Sequence, residues 1–261
     1  MAEEKFLSAQ KVLIFAAGLA AGLVLGFILT DQFYKSYNAR GEQQRAAAPQ
    51  GAGPAPSGQP TPETGSIPDL SDEQLRDAVA RADAAPADAS LQRTAGQALY
   101  LYAMNKGKTS ILPDAARILR RAHEADPKDY NTAVLAGNAN FLIARSEGDA
   151  ARLTEARRFY EVALASNPDD VVVRTSLGLT YFYAAPPDPR RAIREYRRAL
   201  ESDPRSEVTL QSLAAALIEA GELDEADRRL RELESAGTSG PELANLRAQL
   251  EQKRNAGRER P

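Results

Sequence analysis

The feature that most constrains this chain is a pattern that returns. Ala122-His-Glu-Ala-Asp-Pro127, Ala163-Leu-Ala-Ser-Asn-Pro168 and Ala199-Leu-Glu-Ser-Asp-Pro204 share one form, and Ala84-Ala-Pro86 is a looser copy. Ten residues after each proline stands a small residue: Gly96, Gly137, Gly178 and Ala214. Twelve before the three better prolines lie Ala115, Ala156 and Ala192, with Leu119, Tyr160 and Tyr196 four residues further on. Ala226 and Leu230 keep the same spacing in a fourth unit. Proline ends a helix, because it donates no backbone N–H and disfavours a helical predecessor. The pattern therefore predicts paired helices, crossing closely at the small residues, with Tyr160 and Tyr196 packed against the neighbouring pair. Each pair has an apolar face that only the next pair can cover, so the units must stack.

These offsets resemble the tetratricopeptide repeat, a helix–turn–helix unit of 34 residues. The best match is Arg174-Thr-Ser-Leu177-Gly178-Leu-Thr-Tyr181 followed by Ala192, Tyr196, Ala199 and Pro204. The resemblance implies an all-α solenoid over residues 67–261, of about four repeats plus a capping helix. Two units exceed the consensus by about seven residues, at Asn105 to Pro113 and at Ser146 to Arg152, and the third carries Pro186-Pro187-Asp188-Pro189. All three insertions are expected in the turns inside hairpins, where extra length costs little. Ser71-Asp-Glu-Gln74 reads as a capping box that opens the domain. Pro241 followed by Leu243, Leu246 and Leu250 reads as the closing helix.

Ahead of the repeats lie a short tail, residues 1–11, and an uncharged run, VLIFAAGLAAGLVLGFILT, from Val12 to Thr30. At 1.5 Å per residue the run spans about 28 Å, which matches the bilayer core. It predicts one transmembrane helix, longer than the apolar core of a cleaved signal peptide. Gly18, Gly22 and Gly26 share one face of that helix, where another backbone could approach. Lys5 and Lys11 precede it and Lys35, Arg40 and Arg45 follow, so charge alone barely orients it. A short tail before a large domain favours translocation of the bulk, the periplasmic side if the membrane is a bacterial inner membrane. Residues 31–66 form a linker, most clearly from Gly41 to Ser66, where Gly, Pro, Ala and Gln replace large apolar side chains. As a coil, that last stretch spans about 25–30 Å.

Composition removes most chemistry. The chain has no Cys and one His, so disulfides, Cys-based metal centres and His-pair metal sites are not expected. A net charge of −3 leaves no basic footprint for nucleic acid. Asn105-Lys-Gly107-Lys108-Thr109 ends like a phosphate-binding loop, yet Tyr102 stands where the first glycine is required. His123 reads as a solvated helix residue. No catalytic residues, metal ligands or cofactor are therefore expected. Arginines crowd the second helices, from Arg117, Arg120 and Arg121 to Arg228, Arg229 and Arg231, among glutamates that suggest a mixed, salt-bridged surface.

What remains is binding. In the repeat family the first helices line a concave groove. Alignment places there Arg93, Gln97 and Tyr100; Asn131, Val134, Asn138 and Phe141; Thr175, Leu179, Phe182 and Tyr183; and Gln211, Ala215 and Ile218. Amides can pair with an extended peptide backbone, and aromatic rings can form apolar pockets. Val172 and Ser176 stand where the cations of a terminal-carboxylate clamp would be expected, so that mode is not implied. The reading is a membrane-anchored scaffold for a partner protein. A similar layout occurs in envelope assembly factors of cytochrome c maturation. A self-associating membrane protein built on the glycine stripe is the other alternative.

Overall fold

The computed structural model describes residues 69–258. The expected anchor at 12–30, its Gly18, Gly22 and Gly26, and the linker at 31–66 lie outside the described residues. Among the described residues no helix is long and apolar enough to cross a membrane.

The repeat domain is ten α-helices and one short 3-10 turn among the described residues. Helix α1 (Asp72–Ala84) precedes four hairpins: α2 (Ala89–Lys106) with α3 (Leu112–Ala125), α4 (Tyr130–Glu147) with α5 (Ala150–Ser166), α6 (Val171–Phe182) with α7 (Pro189–Ser202), and α8 (Glu207–Ala220) with α9 (Leu223–Ser235). Helix α10 (Pro241–Arg258) closes the series. Each helix packs mainly on its neighbours in sequence, and the first helices of successive hairpins also touch, α2 with α4 and α6 with α8. This is the expected solenoid.

Local signals set the boundaries. Ser71 accepts from the Gln74 N–H while the Gln74 side chain accepts from the Ser71 N–H, so the capping box is formed. Asp88, Asp129, Asp149, Asp170 and Asp188 each accept backbone N–H bonds at the start of the following helix. Second helices α3, α5 and α7 stop at Asp126, Asn167 and Asp203, which are extended (ψ 85°, 83° and 91°) ahead of Pro127, Pro168 and Pro204. First helices α2, α4 and α8 end at Gly107, Gly148 and Gly221, all at positive φ.

The additional length of the second unit is not in its turn. Only Gly148 and Asp149 separate α4 from α5, and the extra residues lengthen the helices to 18 and 17 residues, against 12 and 14 in α6 and α7. A glycine cap followed directly by an aspartate cap closes a tight corner, so continuing both helices satisfies more backbone than a loop would. In the first unit the extra length is divided between the 18-residue α2 and a 3-10 turn at Thr109–Ile111. In the third, Pro186 and Pro187 fall between α6 and α7 as expected, while Pro189 opens α7 behind its Asp188 cap.

The core runs through the stack. Ala115, Ala156, Ala192 and Ala226 are wholly buried, as are Leu119, Tyr196 and Leu230. Tyr160 and Tyr196 lie over the glycines of their own hairpins, Gly137 and Gly178, and Tyr160 also reaches Ser176 of the next hairpin. In the first hairpin Leu119 takes that place over Gly96. Leu243, Leu246 and Leu250 bury the inner face of α10.

His123 corrects the sequence reading. It is 8% exposed, with its ring edge-on to Phe159 at 5.3 Å between centroids. Phe159 belongs to the next hairpin, which closes over the imidazole. Burial, and then the nearby Arg158, push its pKa below the ordinary 6.5.

Candidate functional site

The expected groove residues divide into three sets. Arg93, Gln97 and Asn131 are exposed and meet at one polar pocket of about 540 Å³ between the first and second hairpins, with Leu135 contributing an apolar side chain. Tyr100, Asn138, Phe141, Thr175 and Gln211 are buried. Thr175 donates to the Val171 carbonyl at 2.7 Å and shares a hydrogen bond with Thr209 at 2.8 Å, and Gln211 donates to Glu207 at 3.2 Å. Those two side chains use their polar atoms inside the protein. Phe182 and Tyr183 are half-buried.

The pocket is built by a cap. Asp129 accepts from the Asn131 N–H and from the Thr132 hydroxyl, which fixes its carboxylate at the head of α4. Arg93 reaches it only at 3.9 Å, and its side chain is 47% exposed. Asp126 accepts from the Lys128 N–H. The pocket therefore offers two cationic heads, Arg93 and Lys128, beside carboxylates that already serve the backbone. Tyr130 donates to Asp170 at 2.5 Å, tying this turn to the next one.

Asn138 lies one residue beyond Gly137, in the register that Gln97 holds in the first hairpin. Its Oδ1 accepts from the Tyr160 hydroxyl at 2.9 Å. Its Nδ2 is buried without a hydrogen-bond partner. A buried unmade donor costs about 1–3 kcal/mol, and this one is covered, so an outside acceptor meets it only once the side chain shifts outward.

Beside these polar groups runs an apolar ledge. Leu101, Leu142 and Tyr183 occupy the same register in three successive hairpins, each five residues after the glycine, and all are half-buried. Met104 and Arg145 lie three residues further on. The Arg145 guanidinium sits 3.6 Å from the Tyr183 ring centroid. Phe182 meets Tyr183 edge-on at 5.1 Å, and Phe141 lies 6.2 Å away. Burial raises the pKa of the Tyr183 phenol while Arg145 opposes the shift, so the phenol keeps its proton at neutral pH. Sequence reasoning missed Leu101, Leu142 and Arg145; the register of Tyr183 was the signal that could have found them.

The second-helix arginines are extensively paired. Arg117 and Arg121 converge on Asp83 and Arg197 reaches Glu222 and Glu225, while Arg247 of the closing helix α10 bridges Asp227 and Glu234. Asp83 is held below the ordinary carboxylate range by its hydrogen bonds from Arg117 and Arg121. Among the described residues no group of three or more His, Asp or Glu side chains is placed to hold a metal ion.

Residues 187–250 match the family model for the tetratricopeptide repeat. Among solved structures, a crystal structure of MamA is 22% identical, with a TM-score of 0.50 over 62% of this chain and 81% of that one. YrrB, described as a tetratricopeptide repeat protein with an unusual peptide-binding site, is 18% identical, with a TM-score of 0.50 over 71% of this chain and 84% of its own. PilW, described as a type IV pilus biogenesis factor, is 16% identical at the same TM-score, over 70% and 80%. No curated protein matches the chain by sequence.

Proposed function

We propose that this chain, a tetratricopeptide repeat protein, is a membrane-anchored scaffold that holds an extended segment of a partner protein on its first-helix face. The observation that carries the reading is Asn138. Tyr160 takes its carbonyl oxygen, which leaves the amide N–H₂ as a buried donor in the register of a groove residue. Turned outward into the groove, that amide would find its acceptor in a backbone carbonyl of an extended peptide. Apolar side chains of that segment would rest on Leu101, Leu142 and Tyr183, and acidic ones would be favoured near Arg93, Lys128 and Arg145. The mechanism is non-covalent capture. The apolar segment at 12–30 and the linker at 31–66 would restrict the domain to a layer near a bacterial inner membrane, on its periplasmic side, and so raise its effective concentration for partners there. The peptide-binding site named for YrrB is compatible with such a use of the fold.

The test is photo-crosslinking in membranes from a probe replacing Gln97, with identification of the crosslinked peptide. The reading expects one extended partner segment, lost in Asn138→Leu and in Leu142→Asp and retained in Arg194→Gln, which lies on a second helix. Crosslinks that persist in both first-helix variants would place binding elsewhere. Crosslinks only between copies of the chain would favour the self-associating alternative.

A further inference from the structure

We propose that the outer face of α7, flanked by Arg158 of α5 and Arg228 of α9, is a docking surface for an anionic phospholipid bilayer. Arg117, Arg158, Arg194 and Arg228 each stand two residues after the buried alanine of their second helix, so one register position carries arginine in all four hairpins. Only the first of these is neutralised, by Asp83 and Asp114. Arg158, Arg194 and Arg228 are exposed and form no ion pair among the described residues.

Helix α7 concentrates the charge. Its sequence, PRRAIREYRRALES, holds five arginines and two glutamates. Glu195 is drawn inward to Arg174 at 3.1 Å and meets Arg198 only at 3.7 Å. Arg197 turns to Glu225 at 2.7 Å. Arg191, whose side chain is 58% exposed, has Asp188 at 3.3 Å. Arg190 and Arg194 have no carboxylate partner among the described residues. The apolar residues of α7 are turned the other way, with Ala192, Ile193, Tyr196 and Ala199 buried beneath this face.

That combination selects the occupant. Protein interfaces have an apolar centre ringed by polar groups, whereas this face presents guanidinium groups, with the exposed Glu201 near its C-terminal end and no exposed large apolar side chain among them. Guanidinium pairs well with phosphate oxygens, and a cation near an anionic bilayer contributes a favourable increment that fades within a Debye length, about 8 Å at physiological salt. The chain's net charge of −3 does not favour long-range capture of a free polyanion. A bilayer kept close by the N-terminal segment needs only this short-range contact. In that respect the inference builds on the anchored reading above.

The test uses the full chain, whose lack of cysteine lets one introduced thiol be labelled uniquely. Thr154, exposed and one turn before Arg158 on α5, is replaced as Thr154→Cys and labelled with an environment-sensitive fluorophore; exposed Gln97 is replaced in the same way as the control on the first-helix face. Each protein is reconstituted into phosphatidylcholine vesicles with or without about 30% phosphatidylglycerol and a lipid-borne quencher. The expected result is quenching at position 154 only with the anionic lipid, none at 97, and loss of the signal in R190E/R194E and at about 0.5 M NaCl. With R190Q/R194Q the ratio of docked to free domain falls about fivefold per arginine, and unchanged helical circular dichroism confirms folding. Equal quenching in neutral vesicles, or quenching that survives charge reversal, overturns the proposal. So does a signal at 154 that follows protein density rather than lipid charge, which would mark a contact with a second copy. Flotation with neutral vesicles tests the anchor separately. A chain that fails to float there loses its anchor, while arginine-dependent quenching by anionic lipid still decides this inference.

Discussion

Tyr160 occupies the space that a side chain on Gly137 would need: a Cβ there would stand 2.6 Å from the ring. Gly137→Ala therefore forces the tyrosine or the helix to shift, at a cost of about 1–3 kcal/mol that outweighs the roughly 1 kcal/mol of helix propensity gained. Chemical denaturation measures the loss, and a double-mutant cycle with Tyr160→Leu should show a smaller penalty once the ring is gone. Gly148→Ala is the contrast. Nothing lies within 4 Å of that position, so its cost of about 1–2 kcal/mol should come from the positive φ of 71° alone and stay the same in the Tyr160→Leu background.

Asn138 and Tyr160 separate binding from folding. Replacing both with apolar groups of similar shape, Asn138→Leu with Tyr160→Phe, removes the buried hydrogen bond along with both of its partners. Stability should stay within about 1 kcal/mol of the parent. Partner capture should fall at least about tenfold, because the amide donor is gone. Denaturation midpoints and crosslinking yields together check this. A double variant that still captures its partner removes Asn138 from the site.

Acid should lower the stability of the domain in two separate pH windows. His123 is buried, and its pKa is lowered by burial and by Arg158 against the weaker pull of Glu124, Asp126 and Asp129. Above about pH 6.5 the imidazole is neutral in both states and adds no slope. As pH falls through that value, the unfolded chain takes up a proton that the folded one refuses, and stability declines until the folded pKa is reached. Asp83, held down by Arg117 and Arg121, adds a second decline below its ordinary 3.8. His123→Gln should remove the first decline and leave the second, as read by stability measured across pH.

The closing helix should protect its own end of the stack. Leu246 is wholly buried, and Leu246→Ala should cost about 2–5 kcal/mol. Because helices in this domain pack mainly on their neighbours, the damage should stay local. Hydrogen exchange should speed up in α8, α9 and α10 and change little in α2. Uniform acceleration across the domain would show that the array unfolds as one unit.

The repeats were legible because their signals are local and recur: proline after the second helix, a small residue ten positions later, aspartate at the caps. The burial of His123 was not, since it depends on Phe159 arriving from another hairpin. The pairing of Arg117 and Arg121 with Asp83 joins residues 34 and 38 apart, which no helical spacing reports. Of the expected groove residues, Arg93, Gln97 and Asn131 are exposed, as their register on the first helices implied. Thr175 is buried, and its hydroxyl is used by Val171 and Thr209.

Helix α4 is six residues longer than α6, 18 against 12, an overhang of about 9 Å. Arg145 lies on that overhang, and Tyr183 is the residue that caps the shorter helix beneath it. The aromatic–cation end of the ledge therefore exists only because adjacent units disagree in size. An array regularised to equal units would keep its stacking and erase this corner, so in this protein irregularity is itself a source of distinct surface chemistry.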